Sequence, residues 1–502
     1  MNILLLLIII PFLTAAGILL TKKVNLIRGI ALAGSIIQFV TAIAITLYYV
    51  SLRHAGSTGV MLFQSGFEWF APLHIFFRIG VDGISLTMIL LTAMVVLAGI
   101  LVSWKIEAQV KEFFFLIILL SLGAYGFFIS TDLFIMFFFL ELAVIPKYLL
   151  IGIWGSGRKE YSAMKLALML MGGSALVFLG ILGIYLVSGM NGGTPGWDIH
   201  QIAQIHIPIE YQRVIYLLTF TGFGVFTALF PFHTWAPDGH SSAPTAASMF
   251  LAGISMKLGG YGCLRVATYL MPEAASELSW IFIILASIAI FYGAFATMMQ
   301  KDLKYMNAYS SVSHCGFVIL GIAMLTRTAI MGAVMQMISH GIMTALFFAA
   351  IGMIYERAHT RMAGDLGGML KQMPFIGTAF IIAGLCSLGL PGFSGFVSEM
   401  TIFVGSWERT GIFYRVATIL ACASIVVTAV YILRAIGFAI WGTIKNKEFA
   451  LLKDASWNEK AASILLVIGI VLIGVFPFLL TKLIEGDTLT IFNKIMSIAL
   501  AH

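Results

Sequence analysis

The stretch Leu229–Lys257, LFPFHTWAPDGHSSAPTAASMFLAGISMK, interrupts an otherwise apolar chain with three prolines, two histidines, an aspartate and a lysine. Hydrocarbon offers no partner to a freed amide or carbonyl, so such a break must be buried in protein or line a wet cavity. With a helix starting at Pro244, Lys257 stands 13 residues further on, about 20 Å along the axis. That is near the midplane of a bilayer. A charge there costs on the order of 3 kcal/mol on insertion scales, so function is the default reading.

The rest of the chain agrees with a membrane setting. Of 502 residues, 60% are hydrophobic and only 10% charged, with mean hydropathy +1.02. Soluble domains carry about a quarter charged residues. The net charge of +7 fits basic cytoplasmic loops rather than a nucleic-acid surface. Cys263, Cys315, Cys386 and Cys422 lie singly in apolar segments. With no CxxC pair, no iron–sulfur, zinc or disulfide framework is indicated. The N-terminal run lacks a basic n-region and has Lys22 and Lys23 behind it, so an uncleaved first helix is expected rather than a signal peptide.

Apolar runs long enough to span fall at 2–20, 27–51, 78–104, 112–130, 132–154, 160–188, 211–237, 243–271, 278–299, 304–325, 327–356, 374–407, 411–441 and 460–482. An all-α polytopic protein of about 14 transmembrane helices is expected, each span needing roughly 20 apolar residues. The tightest joints are Ser130–Asp132, between helices four and five, and Thr326, between ten and eleven. Loops after odd-numbered helices hold sixteen lysines and arginines against nine on the other face. The positive-inside rule then puts both termini outside.

Helix seven runs into Pro231 and Pro237, and helix twelve carries SLGLPGFSGFVSE with Pro391 among glycines, 160 residues after Pro231. Interrupted helices at matching positions of two halves are the mark of inverted repeats with a midplane site, although prolines and glycines are also ordinary in membrane helices. The expected division is three N-terminal helices (1–111), a first repeat of helices four to eight (112–271), an inverted second repeat of helices nine to thirteen (278–441), and a cytoplasmic loop, helix fourteen and tail (442–502).

With loop charges set aside, Lys147, Lys165, Lys257 and Arg434 are the basic groups inside helices, Glu141 and Glu399 the acids, and His314 and His340 the mid-helix histidines. An ionised Glu141 in FIMFFFLELAVIPKYLL must find a cation, a proton or water. Lys147 lies six positions on, about 120° round the helix, so the two are not an i,i+4 pair. Lys147 either serves Glu141 or snorkels toward the cytoplasmic end. Lys165 is open between a partner of Glu141 and an interfacial anchor, and Arg434 suits the interface. His233, Asp238 and His240 are secondary candidates in the interrupted stretch. A histidine in a soluble core is usually structural; in a membrane its near-neutral pKa suits proton relay. No third ligand stands at metal spacing. Glu141, Lys257, His314, His340 and Glu399 thus form a string of titratable groups at similar depth, able with intervening water to conduct protons.

These residues carry a resemblance. Over nearly its whole length the chain resembles the antiporter-like subunits of respiratory complex I (NADH-quinone oxidoreductase), most closely the chain M branch. The matching stretches are FLELAVIPKYLLIGIWG, FPFHTWAPDGHSSAPTAASMFLAGISMKLGGYGCLR, QKDLKYMNAYSSVSHCGF, MISHGIMTALFF and LPGFSGFVSE. The resemblance implies that Glu141 is the helix-five glutamate, Lys257 the helix-eight lysine, His314 and His340 the central histidines, and Glu399 the terminal proton site. One position departs: the family's helix-seven lysine aligns with Phe226, while a lysine stands at 147 where relatives have an apolar residue. Lys147 is expected to supply from helix five the charge missing from helix seven.

The implied function is proton translocation by a membrane-arm subunit of NADH:quinone oxidoreductase, beside L-type and N-type antiporter-like neighbours in the lipid bilayer. With no nucleotide loop and no cluster cysteines, the chain is expected to hold no cofactor. Flavin, iron–sulfur clusters and quinone would belong to partner subunits. The alternatives are a subunit of a multisubunit sodium/proton antiporter or membrane hydrogenase, and a spacer that lost pumping with its helix-seven lysine.

Overall fold

The computed structural model describes residues 2–190 and 194–499. Ten of its helices are long and apolar enough to cross a membrane. Of the others, the helices around 227–255 and 388–393 are interrupted, whereas the 21-residue helix Leu303–Ala323 is continuous but more polar. In chain order the first part comprises α1 (Leu6–Leu20), α2 (Val24–His54), a hairpin of β1 (Leu62–Phe70) and β2 (Ile75–Val81), α3 (Gly83–Val102), α4 (Val110–Ile129), α5 (Leu133–Leu142), α6 (Val144–Trp154) and α7 (Lys159–Ser188). Next come α8 (Ile199–Ile202), α9 (Ile209–Phe226), α10 (Trp235–Ser242), α11 (Thr245–Phe250) and α12 (Met256–Gly262). The last part holds α13 (Pro272–Met299), α14 (Leu303–Ala323), α15 (Arg327–Ala358), α16 (Met369–Gln372), α17 (Pro374–Ser387), α18 (Ser394–Glu408), α19 (Ile412–Ala435), α20 (Trp457–Val475) and α21 (Phe478–Ala499).

The tight joints work because capping side chains sit on them. Asp132 accepts from the amides of Phe134 and Ile135, Asp302 from Lys304 and Tyr305, and Thr326 from Ala329. Each satisfies donors that the first helical turn leaves without partners. Helix five is split at Ala143, where Pro146 removes an interior amide and crowds the preceding turn. α15 is buried along the whole of its most apolar stretch, whereas α1, α2 and α7 present exposed apolar faces to the surroundings.

Two regions differ from the sequence reading. Residues 52–77, left between the expected spans 27–51 and 78–104, contain most of an antiparallel hairpin whose Phe67, Trp69 and Phe70 are exposed. Its turns and bulges hide the period-two pattern. Helix fourteen, expected at 460–482, ends at Val475, because Pro477 disfavours helical backbone at Phe476. The chain then continues as α21 across the hairpin-bearing face. There Asp487 Oδ2 accepts from Gly83 N (2.6 Å), Arg327 Nη2 meets Glu485 Oε1 (2.6 Å) and Lys494 Nζ donates to Ala203 O (2.5 Å).

Candidate functional site

The stretch 229–257 is folded as two short helices with the break between them buried. Every freed carbonyl named here has a donor. Arg361 Nη1 donates to Ser241 O (2.8 Å), Lys304 Nζ to Ala243 O (2.8 Å), and Ser248 Oγ to His240 O (2.8 Å). This is how non-helical backbone survives at membrane depth. Lys304, read from sequence as a loop lysine, is only 3% exposed. Its placement two residues after the Asp302 cap hid that role, since only the tertiary fold lays the Ala243 carbonyl above it.

Beyond the break the helix carrying Lys257 is wound as π-helix at Leu251–Ser255 and again at Cys263–Thr268. Such windings recur at functional sites because they free carbonyls and rotate side chains. One freed carbonyl is Ala252 O, to which Lys257 Nζ donates. The same nitrogen lies 2.7 Å from His340 Nδ1 on α15. The His340 and His314 rings stack with centroids 5.3 Å apart. His314 Nδ1 is 3.2 Å from Glu399 Oε1, and its Nε2 is 3.0 Å from Ser387 Oγ. Lys257, His340, His314 and Glu399 therefore stand in one unbroken file, each at most 3% exposed.

The environment of His314 Nδ1 is two-sided. Besides the Glu399 carboxylate it meets Gln336 Nε2 at 3.3 Å, and Gln336 is oriented by Ser398 Oγ donating to its Oε1 (2.5 Å). A protonated Nδ1 is satisfied by the carboxylate, an unprotonated one by the amide. Glu399 itself rests against the second break. Gly389 has φ +74, and a Cβ there would lie 2.8 Å from Glu399 Oε2. Glycine is required at that point both for the left-handed backbone and for the room the carboxylate occupies.

The other sequence candidates form two further groups. Glu141 Oε1 and Lys147 Nζ, on either side of the Ala143 break, are both buried atoms without a hydrogen-bond partner. Lys147 is 1% exposed, and its Nζ lies 5.8 Å from the Phe226 ring centroid. It does not snorkel. Its ammonium sits on the face of Phe226, at cation–π range. Lys165 pairs not with Glu141 but with Asp238 (2.7 Å), which also accepts from Tyr305 Oη (3.2 Å). His233 packs edge-on to Tyr292, and His240 lies against Phe348 with neither ring nitrogen bonded. The five titratable groups expected in a single string are thus four in contact, with Glu141 standing apart beside Lys147.

Residues 130–428 match the family model described as NADH:quinone oxidoreductase/Mrp antiporter, TM. Subunit M of NADH-quinone oxidoreductase from Rickettsia bellii is 34% identical over 451 residues, 89% of this chain and 88% of that one. NAD(P)H-quinone oxidoreductase chain 4 2 from Microcystis aeruginosa is 36% identical over 397 residues, 78% and 71% respectively. Among solved structures, a chain of respiratory complex I from Thermus thermophilus superposes with TM-score 0.87 at 25% identity, covering 98% of this chain and 99% of that one. A chain of the Mrp complex from Dietzia shares the fold, with TM-score 0.84 at 18% identity and coverage of 98% and 97%. This chain is an integral membrane protein that belongs to the antiporter-like transmembrane family of NADH:quinone oxidoreductases and Mrp antiporters.

Proposed function

We propose that the chain is a proton-translocating membrane-arm subunit of NADH:quinone oxidoreductase, driven by redox chemistry in partner subunits. The observation that carries this reading is the contact file Lys257–His340–His314–Glu399. In it a proton on Lys257 Nζ passes to His340 Nδ1 over 2.7 Å. His340 Nε2, buried and unbonded, hands it on through water, since a buried polar atom of this kind needs a partner. His314 Nδ1 receives it and turns from its Gln336 contact to its Glu399 contact. Each step exchanges one charge for a neighbouring one, so no isolated charge is left in low dielectric.

In the first half, Glu141 and Lys147 act as the second charge couple. Lys147, lying over Phe226, supplies from helix five what relatives supply from helix seven. An opposite charge at closer range stabilises the charged lysine, and separation releases its proton. The two interrupted helices, at 227–234 and 388–393, correspond to the two proposed repeats, 112–271 and 278–441. Basic-residue counts support termini on the outer side of the membrane, taken as a bacterial inner membrane, and the expected neighbours are L-type and N-type antiporter-like subunits.

Co-purification tests this reading against the sodium/proton antiporter one. Comigration with flavin and iron–sulfur subunits, and loss of NADH-driven pumping in Glu141→Gln, are expected. Cation exchange by an assembly free of redox subunits would overturn it.

A further inference from the structure

Lys257, Tyr261 and Arg265 recur every fourth residue along one helix. Beyond Lys257 the last two belong to a separate polar thread. Tyr261 Oη lies 3.0 Å from Ser85 Oγ, and Ser85 Oγ donates to Asp82 Oδ1 (2.8 Å). Asp82 Oδ2 pairs with Arg265 Nη2. Gly83, next in the chain, donates its amide to Asp487 Oδ2 of α21 at 2.6 Å. Asp487 Oδ1 is 4.0 Å from Arg53 Nη2, and Arg53 Nε donates to Tyr49 Oη (3.0 Å). Asp82 and Ser85 are wholly buried, and Tyr261 and Arg265 nearly so.

The thread ends in space. A cavity of about 890 Å³ between α2 and α21 is lined by Tyr49, Arg53, Lys482, Asp487 and Thr490, and reaches the exposed Val60. Arg265 Nε and Thr268 Oγ1, both buried, make no bond to protein, which marks places for water. Burial pushes the Asp487 carboxyl above its ordinary range, opposed by the Arg265 guanidinium and the Gly83 amide. No residue of this thread belongs to the contact file described above.

We propose that Tyr261, Ser85, Asp82 and Asp487 form a proton branch joining Lys257 to the hairpin-bearing face, opening into the α2–α21 cavity. The inference rests on the proton-translocating reading of the chain. Four residues, about 6 Å along the axis, separate Lys257 from Tyr261, and water closes that step. The Tyr261 hydroxyl passes its proton to Ser85 as it takes one from the Lys257 side. Ser85 passes its own to the Asp82 carboxylate. Asp82 passes it on through water beside Arg265 Nε, which has no protein partner, to Asp487, which releases to cavity water. Arg265, always charged, carries no proton; it pairs with Asp82 and opposes the burial penalty on Asp487.

The test is NADH-driven proton uptake by proteoliposomes holding the intact complex, with NADH oxidation measured alongside. Tyr261→Phe, Ser85→Ala and Asp487→Asn are compared with Glu141→Gln. The branch requires all three to lower the protons moved per electron as far as Glu141→Gln does, with the complex assembled. Tyr261→Phe keeps the ring packed on Phe127 and Phe128, so a folding defect in Asp487→Asn leaves the test intact. A native ratio in Tyr261→Phe and Ser85→Ala beside a lowered one in Glu141→Gln overturns the branch alone. A native ratio in all four overturns the proton-translocating reading beneath it.

Discussion

Lys147 shows most plainly what a single side chain decides here. A buried ammonium is tolerable only if something compensates it, and Phe226 and Glu141 are what its neighbourhood provides. Lys147→Met is therefore expected to lower the protons moved per electron to the level of Glu141→Gln. Adding Phe226→Lys, which restores a lysine to helix seven, is expected to recover part of that loss. Asp132 makes a different prediction, about stability. Burial raises its carboxyl to about 6, against the amides of Ile135, Phe76 and Phe134 and the Arg78 charge. A raised folded-state pKa means the native protein binds the proton more tightly than the unfolded chain. The penalty of ionisation is thus present above pH 6 and disappears as pH falls toward 4. Melting in detergent should show Asp132→Asn flattening stability across that window. Asp132→Ala also loses the cap and should lie about 1 kcal/mol below Asp132→Asn at all pH values.

Interrupted helices were legible from proline and glycine, because those residues lack an amide or permit positive φ. What satisfies the breaks was not legible. Lys304 and Arg361 read as loop charges until the fold brings them under the Ala243 and Ser241 carbonyls. The π-wound turns around Lys257 leave no local sequence mark either, since their cause is packing. The pairing of Lys165 with Asp238 was equally out of reach, the two being 73 residues apart. Gly389 gives the prediction that belongs to the second break. Gly389→Ala forces a Cβ into positive φ and toward Glu399 Oε2, at a cost of about 1–2 kcal/mol per strained residue. The expected outcome is an assembled complex whose proton-to-electron ratio falls, as Glu399 is displaced from His314.

The whole molecule is held across one face by α21, which the sequence reading took partly as the end of helix fourteen and otherwise as a tail. It ties the starts of α3 and α15 together through Gly83 and Arg327. A Cβ at Gly83 would meet the Leu483 backbone carbonyl, a contact with no room to yield. Gly83→Ala is accordingly expected to cost about 1–3 kcal/mol as overpacking, read as a lowered melting temperature in detergent. The membrane class, the interrupted helices and the Lys257–Glu399 file were foreshadowed by composition and by charges in apolar runs. The hairpin and α21 were not, because their patterns are irregular and their partners distant. The file is where the account is most exposed. Lys257→Met, assembled in the complete complex and reconstituted in sealed vesicles, removes the group that meets His340 at 2.7 Å. The account predicts fewer protons moved per electron than in the native enzyme under the same NADH oxidation; an unchanged ratio in that variant would contradict it.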